Sequence, residues 1–272
     1  MSFRAACIQN SATPDVAHDI AVLARLIRDA AAQGAGFVAT PEYCAGLDTR
    51  DGLLYPVAPE EKDHPVLPAM AALASELGIW LLIGSIGVRA ADGRINNRSY
   101  MLRPDGGIAA RYDKIHMFDV DLGPGKVYRE SATIAPGDTA VIAPCAEGRI
   151  GLSICYDLRF AALYRAYAQA GAEMLATPAA FTRMTGEAHW HVLQRARAIE
   201  NGAYVIAPCQ YGTLAGGSQC YGHSLIVDPW GRVLADGGTE EGIILAEIDL
   251  AIVAQTRSRI PSLRHDRPFA VG

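Results

Sequence analysis

Residues 4–9, apolar from Ala5 to Ile8, open the chain as a strand, and from residue 16 the pattern changes period. Val16, Ile20, Leu23, Ile27 and Ala30 recur at helical spacing, so one face of that segment is buried. Thr13 and Pro14 read as its N-cap and first helical residue, and Gly34 stops the run. Residues 37–40 form a short strand leading into Pro41 and Glu42. A second helix is expected at 66–77 and a third strand at 79–88. Residues 95–103 and 108–112 then read as a hairpin across Pro104-Asp105-Gly106-Gly107, ending at Asp113-Lys114.

After a loop rich in glycine and proline at 122–137, the alternation resumes. Strands are expected at 139–143 and 149–155, a helix at 161–170, a strand at 174–177, an amphipathic helix at 187–200 and a strand at 204–210. Residues 224–227, 232–235 and 243–248, with a turn at Pro229-Trp230-Gly231, form a closing antiparallel set before a last helix at 252–259. Regular βα alternation interleaved with hairpins implies an α/β domain with mixed sheets. No linker, charge block or shift of composition divides residues 1–272, so one domain is expected.

Composition narrows the partners. Of 272 residues, 24 are Lys or Arg against 29 Asp or Glu, a net charge of −5 that offers no basic footprint for nucleic acid or an anionic membrane. The longest apolar stretch, residues 79–88, is interrupted by Gly84, Ser85 and Gly87 and is half of the roughly 20 residues a membrane span needs. The first ten residues run straight into a strand without the pattern of a secretory leader, so a cytoplasmic protein is expected. Small molecules are the expected partners. The six cysteines, at 7, 44, 145, 155, 209 and 220, contain no CxxC pair and read as free thiols in a reducing compartment.

Three polar residues stand where apolar strands end, the place where α/β folds display reacting groups. They are Glu42 after FVATP, Lys114 after IAARYD and Cys155 after RIGLSI. Each has a plainer reading: a helix-start charge for Glu42, a solvated pair with Asp113 for Lys114, and a core thiol for Cys155. His189, His191 and His223 follow Cys155, but the signature of a papain-like protease is missing. His189 and His191, two apart on a helix, point to different faces and would not share a metal, so neither metal nor cofactor is expected.

The segments GRIGLSICYDLRF, DKIHMFDVDLGPGKVYRES, TGEAHWHVLQRARAIENGAYVIAP, YGHSLIVDPWGRV and IPSLRHDRP occur together with the Pro41-Glu42 turn. In these segments, which run almost end to end, the chain resembles the nitrilase superfamily of carbon–nitrogen hydrolases, within the branch of omega-amidase and deaminated glutathione amidase. The resemblance implies a four-layer α-β-β-α sandwich that pairs into homodimers through helices and the extended tail 260–272. It implies a Glu-Lys-Cys triad at Glu42, Lys114 and Cys155, with a further glutamate at Glu130 orienting Lys114 or the substrate amide. Cys155 would be the nucleophile, Glu42 the general base and acid, and Lys114 with the Tyr156 N–H the oxyanion acceptors.

For substrate, the resemblance implies a small linear amide of a 2-oxo acid, such as 2-oxoglutaramate or deaminated glutathione. Arg159 matches an arginine that holds a substrate carboxylate, against the alternative of an ion pair with Asp157. Phe181 and Thr185 match pocket positions, against ordinary loop packing. Ala161, Ala162 and Glu187 depart from the usual RFPEL and TGPAHW wording beside that pocket. A nitrilase, an N-carbamoyl amino acid hydrolase or an N-acyltransferase would use the same triad, and a catalytically silent scaffold would keep the fold for binding alone.

Overall fold

Successive residues of the strand Ser2–Gln9 point to opposite sides, and the interior divides accordingly: Ala5 and Cys7 join one buried cluster, Ala6 and Ile8 another. The same split runs through Ala35–Ala39, where Phe37 and Ala39 part from Val38, and through Trp80–Arg89, where Leu82 parts from Leu81 and Ile83. The computed structural model describes residues 2–50, 53–123 and 127–272.

The first sheet has seven strands. Their order is Ile134–Ala135, Ile95–Leu102, Trp80–Arg89, Ala35–Ala39, Ser2–Gln9 and Gly242–Asp249, with Ile108–Asp113 also paired to Ile95–Leu102. Parallel pairing of Ser2–Gln9, Ala35–Ala39 and Trp80–Arg89 requires crossovers, supplied by the helices α1, Val16–Ala32, and α2, Val66–Leu77. Leu23 and Ile27 of α1 and Met70 and Leu73 of α2 close over the outer face of this sheet. Each such side chain contributes about 1.5–3 kcal/mol of burial.

The second sheet orders Ile142–Cys145, Gly148–Gly151, Met174–Ala176, Tyr204–Ala207, Leu225–Val227 and Val233–Asp236. Helices α3, Ala161–Gln169, and α4, Arg183–Asn201, supply its crossovers, and Tyr164, Tyr167, Trp190 and Ala198 pack in the same buried cluster as both sheets. The layers therefore run helix, sheet, sheet, helix, the α-β-β-α sandwich expected. A last helix, α5, Leu250–Arg259, precedes the turn Ser262–Arg264.

Several boundaries differ from the sequence expectation. The N-cap of α1 is Asp15, whose carboxylate accepts from the Ala17 and His18 amides, because Thr13 is engaged elsewhere: its hydroxyl and amide both bond the buried Asp19. The strand expected at 139–143 is Ile142–Cys145. The one expected at 149–155 ends at Gly151, because the amides that follow take partners outside the ladder: that of Ile154 bonds the Asp157 carboxylate and that of Cys155 the Pro178 carbonyl. The expected loop 122–137 contains the strand Val127–Arg129, paired with Asp119–Asp121, and the edge strand Ile134–Ala135. Residues 124–126 of that loop lie outside the described residues. Among the described residues no helix is long and apolar enough to cross a membrane.

Candidate active site

Glu42 lies in the turn that follows Ala35–Ala39, and the turn is stitched to a bulge in the neighbouring strand. Pairing between Trp80–Arg89 and Ile95–Leu102 shifts register between Ile83 and Ile86. At that shift the Gly84 amide donates to Thr40 Oγ1 at 3.0 Å, Ser85 Oγ accepts from the Tyr43 amide at 2.8 Å, and the Ser85 carbonyl accepts from the Cys44 amide at 3.1 Å. Gly84 has no substitute here, since a Cβ would stand 1.9 Å from the Thr40 carbonyl oxygen and 2.6 Å from Pro178 Cβ. Gln210 clamps the turn from the other sheet, donating to the carbonyls of Glu42 and Tyr43 at 3.0 and 2.8 Å.

The Glu42 carboxylate is fully engaged. Oε1 accepts from Asn97 Nδ2 at 2.8 Å and from Lys114 Nζ at 3.1 Å, and Oε2 accepts from the Ala180 amide at 2.7 Å. Lys114 is not the solvated partner of Asp113: that carboxylate is taken by Arg98, and Lys114 is 2% exposed. Its ammonium instead reaches Glu130 Oε1 and Oε2 at 2.8 and 2.9 Å as well as Glu42. Glu130 is held in turn by the Phe118 amide.

Cys155 opens the 3-10 turn Cys155–Arg159, and its amide donates to the Pro178 carbonyl at 2.9 Å. Its φ is +47°, and that of Tyr43 beside Glu42 is also +47°. Non-glycine residues in this region cost about 1–3 kcal/mol each and persist where the surroundings over-determine them. The turn sets Cys155 in the lining of the same cavity as Glu42 and Lys114.

Charge in this buried quartet follows from burial and neighbours. Burial and then the Glu42 carboxylate push the Cys155 thiol well up, with Lys114 opposing, so the resting nucleophile is a protonated thiol. Burial alone would discharge Lys114, but Glu130 and Glu42 outweigh it and hold the ammonium charged. Burial also raises Glu130, opposed by Lys114 and reinforced by Glu42. A protonated thiol and a carboxylate lining one cavity, with a fixed cation alongside, are the parts of an activated nucleophile.

A cavity opens over these groups, walled by Phe118, Tyr128, Tyr156, Phe181 and Leu214, with Thr185 also in its lining. Phe181 is buried against Trp190, and the Thr185 hydroxyl is 2.7 Å from that of Thr182. Arg159 lies over the Tyr156 and Phe181 rings at 5.8 and 5.5 Å and beside His189 Nδ1 at 3.4 Å. Among the described residues it has no carboxylate partner. Asp157 does not pair with it, being occupied by the Tyr112 hydroxyl, the Ile154 amide and both the amide and Nδ1 of His116.

Comparison with known sequences shows the family of the chain. The carbon-nitrogen hydrolase profile matches residues 4–258. The chain belongs to the carbon–nitrogen hydrolase family. This hydrolase is 40% identical over 268 residues to omega-amidase NIT2 of Homo sapiens, covering 98% of the chain and 95% of that protein. It is 39% identical over 271 residues to deaminated glutathione amidase of Synechocystis, covering 97% of each. Among solved structures, the NitFhit protein of C. elegans superposes with a TM-score of 0.87 at 32% identity, over 98% of this chain and 65% of that one. A mutant amidase of Nesterenkonia sp. AN1, with a TM-score of 0.78, 25% identity and coverage of 93% and 92%, carries the acetamide moiety of fluoroacetamide covalently on its active-site cysteine.

The structure thus brings Glu42, Lys114, Glu130 and Cys155 of the hydrolase into one cluster, sets Tyr156, Phe181 and Thr185 in the cavity wall, and lays Arg159 over the Tyr156 and Phe181 rings without making it part of the lining. Sequence reasoning missed Asn97, Gln210 and the Ala180 amide, which orient Glu42, and Asp157, which holds the chain on either side of Cys155. No local pattern marks these residues, because they act across 55, 168 and 138 positions toward Glu42.

Proposed function

We propose that this hydrolase is a cysteine-dependent amidase acting on a small linear amide of a 2-oxo acid. The observation that carries the reading is the buried Glu42 carboxylate, bonded to the Lys114 ammonium and lining one aromatic-walled cavity together with Cys155.

Glu42 takes the thiol proton as sulfur attacks the amide carbon, which suits a thiol kept protonated at rest. The tetrahedral oxyanion is received by Lys114 and by the amide N–H of Tyr156, the residue after the nucleophile. Glu42 then returns its proton to the nitrogen as the carbon–nitrogen bond breaks, leaving a thioester on Cys155. A water molecule deprotonated by Glu42 attacks that thioester, and the acid leaves with Cys155 reprotonated. Glu130 holds the Lys114 ammonium in place throughout. Every proton and electron pair has a protein group to carry it, so the reaction calls for no cofactor.

The substrate class rests on Arg159, a guanidinium beside the cavity without a carboxylate partner among the described residues, and on the names of the relatives. The chain acts as one hydrolase domain over residues 1–272, in the cytoplasm, where its six buried thiols stay reduced. It pairs as a homodimer: Val192 and Ile199, seven apart on α4, and Trp230 form an exposed apolar face, 67%, 51% and 56% exposed. Phe269 and Val271 of the tail are exposed beyond Asp266, which bonds Arg165 and Gln169 of α3. A dimeric mass in light scattering is the expected result, and a monomer at micromolar concentration removes the pairing.

The deciding experiment offers the enzyme 2-oxoglutaramate, deaminated glutathione, a nitrile and an N-carbamoyl amino acid side by side, with intact-mass detection of the acyl adduct. Turnover of a 2-oxo-acid amide with an adduct on Cys155, absent in Cys155→Ala, is expected. Turnover of the nitrile or the carbamoyl compound alone reassigns the substrate, and no product or adduct with any of them leaves a binding scaffold.

A further inference from the structure

Outside the catalytic cavity, His191, His223 and Asp236 bring three ligand atoms within 4.8 Å of one another. His191 Nε2 lies 2.9 Å from Asp236 Oδ2, and His223 Nδ1 lies 2.8 Å from Asp236 Oδ1. His189, two residues from His191 on α4, faces away toward Arg159, as helix geometry requires. His191 finds its partners instead from the chain after Gln219–Tyr221 and from the end of Val233–Asp236.

The three side chains are held in place before any ligand arrives. His223 has φ +52°, its amide donates to the Gly238 carbonyl, and its own carbonyl accepts from Trp190 Nε1 at 2.7 Å. Its ring stacks on Tyr221 at 4.5 Å, and Tyr221 meets the His191 ring edge-on. The Asp236 carboxylate is oriented by the Gly238 amide at 2.9 Å. The side chains are 24–36% exposed, so an ion can reach them.

We propose that His191, His223 and Asp236 form a binding site for a divalent transition-metal ion of the zinc type. Two imidazole nitrogens and one carboxylate suit a borderline ion, which would take both nitrogen lone pairs, replace the two histidine–aspartate hydrogen bonds and complete its shell with water. Oxygen-seeking magnesium or calcium does not suit this donor set. The ion would clamp the strand Gln219–Tyr221 to α4. Gln219 and Cys220 of that strand line the catalytic cavity, so the site is coupled to a cavity wall and lies outside the reaction itself.

The test titrates chelator-treated full-length Cys155→Ala protein with Zn2+ by calorimetry and with Co2+ by visible absorption, so that the nucleophilic thiol cannot compete. One equivalent of Zn2+ bound more tightly than about 10 μM is expected, with a cobalt spectrum free of thiolate bands. His191→Ala, on the exposed side of a helix, should weaken binding by about 100-fold or more and abolish the zinc-dependent rise in melting temperature. Asp236→Asn should weaken it as well. Weak or absent Zn2+ binding, or binding unchanged in both variants, overturns the site and leaves an ion-paired knot joining α4 to the sheet.

Discussion

Gly84→Ala adds one methyl group between the two halves of the catalytic centre. The new Cβ would stand 1.9 Å from the Thr40 carbonyl oxygen, 2.4 Å from that of Pro41 and 2.6 Å from Pro178 Cβ. Ordinary contacts lie near about 3.5 Å, so the Pro41–Cys44 turn or the Pro178 chain must retreat by about 1–1.5 Å. Overpacking of this kind costs about 1–3 kcal/mol of stability. The larger effect is expected in rate, because the turn carries Glu42 and the Pro178 carbonyl holds the Cys155 amide. A displacement of about 1 Å at a reacting group costs on the order of 100-fold. The assay pairs kcat/KM on a 2-oxo-acid amide with a urea midpoint and near-ultraviolet circular dichroism to verify the fold. Gly36→Ala is the matched control: it also lies in the first sheet, but a Cβ there meets nothing within 4 Å, so a change within about 0.5 kcal/mol is expected. A Gly84→Ala enzyme with unchanged midpoint and kcat/KM within about threefold of the parent would refute the claim that this contact sets the position of Glu42.

Asp157→Asn turns one oxygen of a fully buried acceptor into a donor facing the Tyr112 hydroxyl, the Ile154 amide and His116, and should lower stability by about 3 kcal/mol, read as a lower urea midpoint. Arg159→Lys keeps the charge but loses the planar fork, so KM for the carboxylate-bearing amide should rise by about tenfold or more with kcat little changed; an equal KM returns Arg159 to a packing role. Burial depresses His64 from 6.5 to about 4, so the folded state takes up its proton later than the unfolded chain. Its contribution to stability is complete above pH 6.5 and is lost as pH falls toward 4, by about 3 kcal/mol in all, and His64→Gln should flatten that acid limb in a series of denaturation midpoints.

Segments whose burial follows a short period were legible along the chain. The helix expected at 66–77 is Val66–Leu77, and the hairpin and closing strands fall within a residue or two of expectation. Boundaries moved where a side chain took over a backbone partner, as Thr13 did with Asp19 and Asp157 did with Ile154. Glu42, Lys114 and Cys155 each end an apolar run, a position that left plainer readings open, and it was the linked motifs that singled them out as a set.

By itself, then, the sequence determined the layer-forming elements, the family resemblance and the candidate reacting groups, because strand and helix periods and linked motifs are local properties of the chain. The tertiary structure decided how those groups are charged and aimed. Asn97, Gln210 and Ala180 reach Glu42 from distant strands and loops, burial sets Cys155 as a thiol and two carboxylates keep Lys114 an ammonium. It also joined His191 to His223 and Asp236, 32 and 45 positions away, a pairing that no helical or strand period encodes because it exists only once α4 lies on the second sheet.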